Sequence, residues 1–281
     1  MNAASTLRPL SDMPEDARRG IRGVLTDIDD TLSTRGRLTA EAYGAMERLA
    51  AAGRFVIPIT GRPAGWCDHI ARMWPVDAVV GENGAFYMRY NRDTRRLLRR
   101  FVDNEPTRLA NRARIAAIGE RIVAAVPGCA LASDQSYRET DLAIDFREDV
   151  PPLPRAAVDH IVALMQAEGM TAKVSSIHVN GWFGDYDKLA MTRSLLAEVF
   201  AIDLDAEREH FVFAGDSPND APMFAFFPNA VGVANVRDFA DRIATLPAYV
   251  TKGEAGVGFA ELADFLLAGD AGDRPEPHRA R

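Results

Sequence analysis

The sequence predicts an α/β fold built on a mainly parallel sheet, with a second, α+β module inserted into it. Between residues 21 and 85, short apolar runs alternate with amphipathic segments, which is typical of βαβ units. Between residues 86 and 182, the order becomes strand, strand, helix, strand, helix and strand, in the manner of an antiparallel α+β unit. The first pattern then returns. We therefore predict a discontinuous core, 21–85 with 183–268, and an inserted module, 86–182.

The first half of the core is predicted from three apolar runs and two amphipathic segments. A helix that begins at Thr39 is expected to end before Gly53, because glycine commonly stops helices. The predicted strands are 24–27, 55–60 and 77–80, and the predicted helices are 39–52 and 63–74.

The inserted module opens with an Arg-rich hairpin, and a long helix closed by Pro-Gly follows it. For the module we predict strands at 86–90, 96–102, 141–146 and 171–179, and helices at 107–126 and 154–168. For the rest of the core we predict strands at 211–214, 230–233 and 248–251, and helices at 187–200, from 219, near 238 and at 258–267. Residues 1–20 and 269–281 are rich in Pro, Gly, Ala and charge, and we predict flexible termini there.

The composition is that of a soluble globular protein, with 47% hydrophobic and 26% charged residues among 281. A net charge of -7 argues against a nucleic-acid partner. The two cysteines, Cys67 and Cys129, form neither a disulfide framework nor a metal-ligand spacing. No apolar run is long enough to span a membrane, and residues 1–20 lack the apolar centre of a secretory signal. We therefore expect a cytoplasmic protein without a membrane partner.

Four polar clusters follow predicted strands or begin a helix, at the carboxyl edge where a parallel sheet gathers functional groups. They are D-I-D-D-T (27–31), T-G-R (60–62), Lys188 and G-D-S-P-N-D (215–220). Each has an ordinary explanation by itself, since Asp, Thr and Gly form turns and helix caps and a single lysine is usually solvated. Their joint placement at one edge of one sheet favours a functional site.

These residue types suit phosphoryl transfer through an aspartyl-phosphate. Three carboxylates within four residues repel one another, which a divalent cation would offset. One carboxylate would attack phosphorus, and a second would protonate the departing oxygen and then activate water. Mg²⁺ prefers oxygen ligands, while threonine, backbone N–H groups and lysine would hold the other phosphoryl oxygens. Lys188 is one of three lysines among 33 basic residues, which suggests a specific use for its compact ammonium.

The same residues resemble the motifs of the haloacid dehalogenase (HAD) superfamily, in its branch with a type IIB cap inserted after the third strand. D-I-D-D-T resembles the first motif (Asp-x-Asp-x-Thr), I-T-G-R the second, the region of Lys188 the third and G-D-S-P-N-D the fourth. G-E-N-G-A before the module and V-T-K-G-E-A-G-V-G near the end also resemble this branch. The resemblance covers about residues 22–267 and implies a Rossmann-like HAD core with an inserted α+β cap.

By position, the resemblance implies that Asp27 is the nucleophile and a metal ligand. It implies that Asp29 is the general acid/base and lends its backbone carbonyl to the metal. Thr60 and Lys188 would bind the phosphoryl group. The other residues expected at the Mg²⁺ or the substrate are Asp216, Asn219 and Asp220 for the metal shell, and Gly61 and Arg62 for the substrate.

Two positions depart from the family's pattern. Asp30 stands where the family most often has Gly, and Leu189 follows Lys188 where Gly is usual. The third motif is therefore the weakest match, and Lys252 remains as the alternative lysine. Because Asp29 is present, the resemblance favours phosphatases and phosphomutases over dehalogenases and ion-pumping ATPases.

The cap is expected to supply most substrate contacts and to exclude water from the bound phosphate. Alternation in S-S-I-H-V-N puts Ser176, His178 and Asn180 on one face of a strand. We interpret that face as a surface for sugar hydroxyls or, alternatively, as a solvent-facing side. Arg138 is a further candidate substrate contact, with a surface ion pair as the alternative.

The sequence thus predicts a Mg²⁺-dependent phosphatase of small phosphate monoesters, with sugar phosphates as the favoured class. Its partner would be a small phosphorylated metabolite. A phosphomutase of the same superfamily and a non-catalytic protein that binds phosphorylated ligands are the alternatives.

Overall fold

The computed structural model describes residues 7–268. Within them, the strands are β1 (Arg8–Pro9), β2 (Gly23–Thr26), β3 (Ser33–Thr34), β4 (Arg37–Leu38), β5 (Phe55–Pro58), β6 (Val79–Gly81), β7 (Phe86–Asn91), β8 (Arg96–Phe101), β9 (Ala130–Leu131), β10 (Asp141–Asp145), β11 (Thr171–Val174), β12 (His178–Trp182), β13 (Phe211–Gly215), β14 (Val231–Gly232) and β15 (Tyr249–Val250). The α-helices are α1 (Glu15–Gly20), α2 (Ala40–Ala51), α3 (Ala64–Met73), α4 (Glu105–Ala125), α5 (Arg155–Ala167), α6 (Lys188–Phe200), α7 (Leu204–Glu207), α8 (Ala221–Phe226) and α9 (Ala255–Leu267).

The centre of the molecule is a six-stranded parallel sheet in the order β1-β15-β14-β13-β2-β5. Its middle strands are buried along their whole length, because helices cover both faces. One face packs against α2, α3 and α9, and the other against α6 and α8. The predicted α/β class with a parallel core is confirmed.

The first residues of the described chain belong to this sheet. β1 pairs in parallel with β15, and Leu10 and Met13 are buried against the core. The prediction that residues 1–20 are flexible is therefore wrong for residues 7–20. A strand of two residues is too short to show an alternating pattern, and its proline is typical of edge strands as well as of loops. Nothing in the sequence therefore indicates that this segment joins the sheet. The other predicted flexible residues, 1–6 and 269–281, lie outside the described part of the chain.

The Arg-rich hairpin also belongs to the core. A parallel bridge between Ile59 and Val80 joins β6 to the end of β5, and β6, β7 and β8 continue as an antiparallel sheet. Phe86 and Met88 pack into the same apolar cluster as α3. The predicted start of the inserted module at residue 86 is therefore wrong, since the apolar face of β7 seals the core and the arginines of β8 face outward.

The inserted module, called the cap below, has its own sheet in the order β11-β12-β10-β9, which is antiparallel throughout. Helices α4 and α5 bury one face of that sheet through residues such as Ile118, Ile122, Ile161 and Met165. The predicted single strand at 171–179 is wrong. Two strands form a hairpin there, because the Ser175 hydroxyl accepts the His178 N–H at 3.0 Å and closes a turn.

The helices of the described residues are all too short or too polar to cross a lipid bilayer. The longest, α4, has 21 residues and carries arginines and glutamates along its length.

Candidate active site

Two neighbouring strands of the core bring the first and fourth clusters together. β2 and β13 pair in register, and the N–H of Asp27 donates to the carbonyl of Ala214 at 2.9 Å. Asp27 and Asp216 each follow the last residue of their strand, so their side chains meet at the carboxyl edge of the sheet. Both are buried.

Three carboxylates and one ammonium form the centre of the site. One oxygen from each of Asp27, Asp216 and Asp220 lies within 4.8 Å of the others. Lys188 Nζ donates to Asp27 Oδ1 at 2.9 Å and to Asp220 Oδ1 at 2.8 Å. The other oxygen of Asp220 accepts the N–H groups of Asp216 and Ser217 at 3.2 and 3.3 Å. Lys188 therefore contacts the cluster as expected of the third motif. Among the described residues, Lys252, the alternative lysine, does not contribute a side-chain hydrogen bond to these three carboxylates.

Lys188 owes its position to the start of α6. Asp187 caps that helix by accepting the Ala190 N–H at 2.7 Å, and Lys188 is its first residue. Gly84, from the G-E-N-G-A segment, supports the same turn. A Cβ on Gly84 would lie 2.0 Å from the Asp187 carbonyl oxygen, so only glycine fits.

Burial and like charge shift the pKa values of this cluster. Burial raises the pKa of Asp27 to about 7; Lys188 opposes this rise, and Asp220 and Asp29 add to it. Burial also raises the pKa of Asp216 well above its ordinary value, with further contributions from Asp220 and Asp27. Burial alone would lower the pKa of Lys188, but Asp220 and Asp27 raise it above its ordinary value. The single ammonium of Lys188 therefore does not balance the charge of three carboxylates.

The donor set fits a hard divalent cation. It consists of closely spaced carboxylate oxygens in an enclosed place, which are the ligands that Mg²⁺ takes in proteins. Of the predicted ligands, Asp27, Asp216 and Asp220 belong to the cluster. The side chain of Asn219 instead accepts the Ser217 hydroxyl at 2.7 Å.

Two side chains support Asp216, and one of them, Asn235, was not predicted as a member of the site. Asn235 donates to Asp216 Oδ2 at 3.1 Å and to the Asp30 carbonyl at 2.9 Å. Thr31, the last residue of D-I-D-D-T, donates to Asp216 Oδ1 at 3.3 Å. Asn235 thus joins the first cluster to the fourth, and no local motif in V-A-N-V-R signals it.

The backbone conformation of Asp30 accounts for one departure from the motif that the first cluster resembles, in which this position is most often Gly. Its φ is +53°, in the left-handed region where glycine is favoured and aspartate is tolerated. Its backbone N–H donates to the Ser33 hydroxyl at 3.2 Å, and it lines the same cavity as Ser176 of the cap. Burial raises the pKa of Asp30, and the nearby Ser176 opposes this rise.

Asp29 is not one of the three clustered carboxylates and is paired with Arg62. Arg62 Nε donates to both Asp29 oxygens at 2.9 and 3.0 Å, and its Nη2 donates to Oδ1 at 2.7 Å. The same guanidinium reaches the cap, where it donates to Asp134 and Glu148 at 3.2 and 2.5 Å. Burial would lower the pKa of Arg62, but Asp29 and Glu148 raise it above its ordinary value. Arg62 is thus a cation shared by core and cap.

Thr60 and Gly61 form the turn that precedes Arg62. The hydroxyl of Thr60 accepts the Arg62 N–H at 3.0 Å, and the Thr60 carbonyl accepts the N–H of Asn83 at 3.1 Å. A Cβ on Gly61 would lie 3.2 Å from the Asn83 side chain, which leaves little space at that position. The buried turn follows β5, next to the strand that leads to Asp27.

The three predicted cap contacts are engaged with protein groups. Arg138 donates to Asp141 Oδ1 at 2.9 Å and to the Gly61 carbonyl at 2.8 Å. Asn180 donates to Asp141 Oδ2 at 3.0 Å. His178 Nε2 lies 2.9 Å from Glu148 Oε2. The polar face of β12 is therefore buried at the seam between cap and core and is not a solvent-facing side.

A cavity of about 920 Å³ opens beside the carboxylate cluster, between the cap and the core. Asp30, Asp216 and Asn235 are among the residues that line it. Apolar and charged side chains mix along its walls, including Phe146, Leu153, Phe239, Arg35, Arg147 and Arg242. Its size and mixed lining are those of a site for a small organic molecule.

Comparisons with solved structures show that the chain has the fold of HAD-like phosphatases. A Thermoplasma acidophilum protein superposes with a TM-score of 0.65 and 18% identity, covering 88% of this chain and 98% of its own. The HAD subclass IIB sugar phosphatase BT4131 gives 0.58 and 14%, covering 88% and 99%. The sucrose-phosphatase of Synechocystis sp. PCC6803, solved with sucrose and phosphate, gives 0.57 and 15%, covering 87% and 98%. No protein-family model and no curated protein sequence matches the chain.

Proposed function

We propose that this protein is a Mg²⁺-dependent phosphatase that hydrolyses small phosphate monoesters through an aspartyl-phosphate. The observation that carries the proposal is the buried group of Asp27, Lys188, Asp216 and Asp220 at the carboxyl edge of the sheet, with Asp29 two residues after Asp27. A nucleophilic carboxylate, a lysine and an oxygen-rich cation site are what phosphoryl transfer to an aspartate requires.

Asp27 is the proposed nucleophile. Its carboxylate oxygen forms a bond to phosphorus as the bond to the alcohol oxygen breaks, and Asp29 gives that oxygen a proton. Asp29 then takes a proton from the water that attacks the phosphorus, which frees phosphate and restores the carboxylate of Asp27. Thr60 and Lys188 hold the phosphoryl oxygens on which charge develops.

Asp27, Asp216 and Asp220 are the proposed holders of Mg²⁺, which when bound reduces the repulsion between the attacking carboxylate and the phosphate. Asn235 and Thr31 keep Asp216 oriented for that role through the hydrogen bonds described above. The cap excludes bulk water from the site, since Glu148 of the cap closes over Arg62 of the core.

Sugar phosphates are the proposed substrate class. Two of the proteins with this fold are a sucrose-phosphatase, solved with sucrose and phosphate, and a sugar phosphatase. The cavity beside Asp216 has room for a leaving group of several carbon atoms, and its arginines and carboxylates suit hydroxyl groups.

A phosphate-release assay tests the proposal. Purified protein is offered p-nitrophenyl phosphate and a panel of sugar phosphates, nucleotides and cofactor phosphates, with Mg²⁺ and with EDTA. We expect phosphate release in the presence of Mg²⁺ but not in EDTA. In Asp27→Asn the rate of release should fall by at least about a thousandfold, because no nucleophile remains. Circular dichroism shows whether Asp27→Asn is folded. A folded Asp27→Asn as fast as the parent would remove the nucleophile assignment, and phosphate moved within a sugar would indicate a mutase.

A further inference from the structure

Arg138 is a buried cation at the seam between cap and core, with only 2% of its surface exposed. Its Nε and Nη2 donate to Asp134 Oδ1 at 3.2 and 3.1 Å, and its Nη1 donates to Asp141 at 2.9 Å. The same Nη1 donates to the carbonyl of Gly61 in the core at 2.8 Å. The guanidinium therefore fixes the backbone of the turn that carries Thr60.

Asp134 extends this contact to a second residue of the same turn. One of its oxygens accepts from Arg138, and the other accepts from Arg62 Nη1 at 3.2 Å. Arg62 in turn holds Asp29 with three hydrogen bonds of 2.7–3.0 Å. A continuous path of charged hydrogen bonds thus leads from the cap to the proposed acid/base.

Glu82 fastens the same part of the cap from the core side. Its fully buried carboxylate accepts the N–H of Ala64, the N–H of Glu139 at 2.9 Å, and both the N–H and the hydroxyl of Thr140. Arg138 immediately precedes these two cap residues. Its position relative to Gly61 is therefore set from both sides of the seam.

Stability alone is a poor explanation for this arrangement. Burying ionic groups costs desolvation that their attraction often only balances, and apolar residues of similar volume serve stability as well. Such a network does fix geometry, because each guanidinium has its donors in one rigid plane. Of the two residues that it fixes, Gly61 adjoins Thr60 and Arg62 contacts Asp29.

We propose that Asp134 and Arg138 are positioning residues of the cap, which hold Gly61 and Arg62 in place and, through Arg62, orient Asp29 for proton transfer. The inference rests on the proposed function, since it takes Asp29 as the acid/base. If Asp134 and Arg138 act in this way, the orientation of Asp29 in the core depends on the cap being closed.

Asp134→Asn is the test variant. Its amide oxygen still accepts from Arg138, but its NH₂ then faces Arg62 Nη1, a second donor, so the link to Arg62 is lost. Arg138→Lys is the second variant, because lysine keeps the charge but lacks the planar set of donors that reaches Asp134, Asp141 and Gly61 from three nitrogens. Asp149→Asn is the control, since Asp149 is an exposed carboxylate of the same cap whose side-chain partners include the Ser133 hydroxyl.

The readout is the dependence of kcat on the leaving group. A sugar alcohol leaves poorly and needs a proton from Asp29, whereas p-nitrophenolate leaves readily without one. Loss of one charged hydrogen bond should lower kcat for a sugar phosphate by about tenfold in Asp134→Asn, and kcat for p-nitrophenyl phosphate by much less. Asp149→Asn should match the parent on both esters. An equal loss on both, or no loss on either, would overturn the proposal.

A second measurement needs no turnover. In protein with ¹⁵N-labelled arginine, NMR follows the exchange of each Nε–H with solvent. We expect exchange at Arg62 to quicken by about tenfold in Asp134→Asn, while exchange at Arg138 stays slow. Unchanged exchange at Arg62 would contradict the proposed contact. A parent inactive on both esters would count against the proposed function, and the exchange rates would still decide the positioning contact.

Discussion

At Asp216, the requirements of cation binding and of stability oppose each other. The residue is fully buried beside Asp220 and Asp27, and burial with their like charges raises its pKa. Lys188 contacts the other two carboxylates, so Asp216 relies on the neutral donors Thr31 and Asn235. The metal-free protein therefore carries an electrostatic cost at this cluster, which the proposed Mg²⁺ would relieve.

Asp216→Asn should stabilise the protein in EDTA and remove its response to Mg²⁺. Loss of one buried like charge should raise the free energy of unfolding by about 1–2 kcal/mol, or Tm by roughly 2–8 °C. The asparagine can accept from Asn235 and donate to the Thr31 hydroxyl, so no buried polar atom loses its partner. Calorimetry with EDTA and with Mg²⁺ measures both effects.

Asp238→Asn supplies the control for this experiment. Asp238 is an exposed carboxylate that lines the same cavity. Its neutralisation should leave Tm in EDTA and the rise in Tm with Mg²⁺ as in the parent. If Asp216→Asn kept that rise, Asp216 would not be a ligand.

Among the secondary-structure elements, the contact of Gly84 with the start of α6 controls where Lys188 lies. Gly84 has φ +105°, and a Cβ there would overlap the carbonyl of Asp187. Gly84→Ala should therefore displace the helix start, lower stability by about 3 kcal/mol or more, and reduce turnover with it. Urea unfolding and phosphate release measure the two effects.

Gly36→Ala isolates the backbone contribution. Gly36 also has a positive φ, +72°, but a Cβ there would meet nothing within 4 Å. That variant should lose only the cost of the left-handed conformation, about 1–2 kcal/mol. Equal losses of stability in the two variants would show that the contact between Gly84 and Asp187 contributes nothing.

The elements that could be predicted are those whose sequence reports their own burial. β2, β5 and β13 are fully buried apolar runs followed by polar residues, so both their type and the functional edge followed from local pattern. β1 and the hairpin β7–β8 could not be placed locally. β1 pairs with Tyr249, which is far away in the sequence. The hairpin belongs to the core because Phe86 packs there, but the arginines of β8 hide that relation in the sequence.

The same limit applies to the site. Lys188, Asp216 and Asp220 could be predicted with Asp27 because each lies at a strand end or helix start, and the sheet brings such ends together. Asn235 has no such marker, although it bonds both Asp30 and Asp216. Contacts of the cap with Arg62 depend on closure of one unit over another, which no local pattern encodes.

Across the whole molecule, charged contacts help to hold the cap over the core. Arg62 is one of the core residues that make them, and Glu148 of the cap contacts both Arg62 and His178. Burial alone would raise the pKa of Glu148, but the close approach of His178 and the hydrogen bonds from Arg62 lower it to about 2, below its ordinary value of 4.5. The folded protein therefore favours the ionised form of Glu148.

This shift fixes the sign and the window of an acid effect. A carboxyl group whose pKa is lowered by folding stabilises the protein fully above its unfolded pKa, and loses that contribution as pH falls through the folded value. For Glu148 the window runs from about pH 4.5 down to about pH 2. We expect the urea midpoint of the parent to fall more steeply across that window than the midpoint of Glu148→Gln, in which this group cannot titrate.

Asp149→Asn is the matched control, because it removes the neighbouring carboxylate, which is exposed and does not contact Arg62. Its urea midpoint should fall as steeply as that of the parent. Fluorescence-monitored urea unfolding at half-unit steps of pH gives all three curves. If the curves of the parent and Glu148→Gln ran parallel from pH 4.5 to pH 2, the pairing of Glu148 with Arg62 and His178 would contribute nothing to holding the cap on the core.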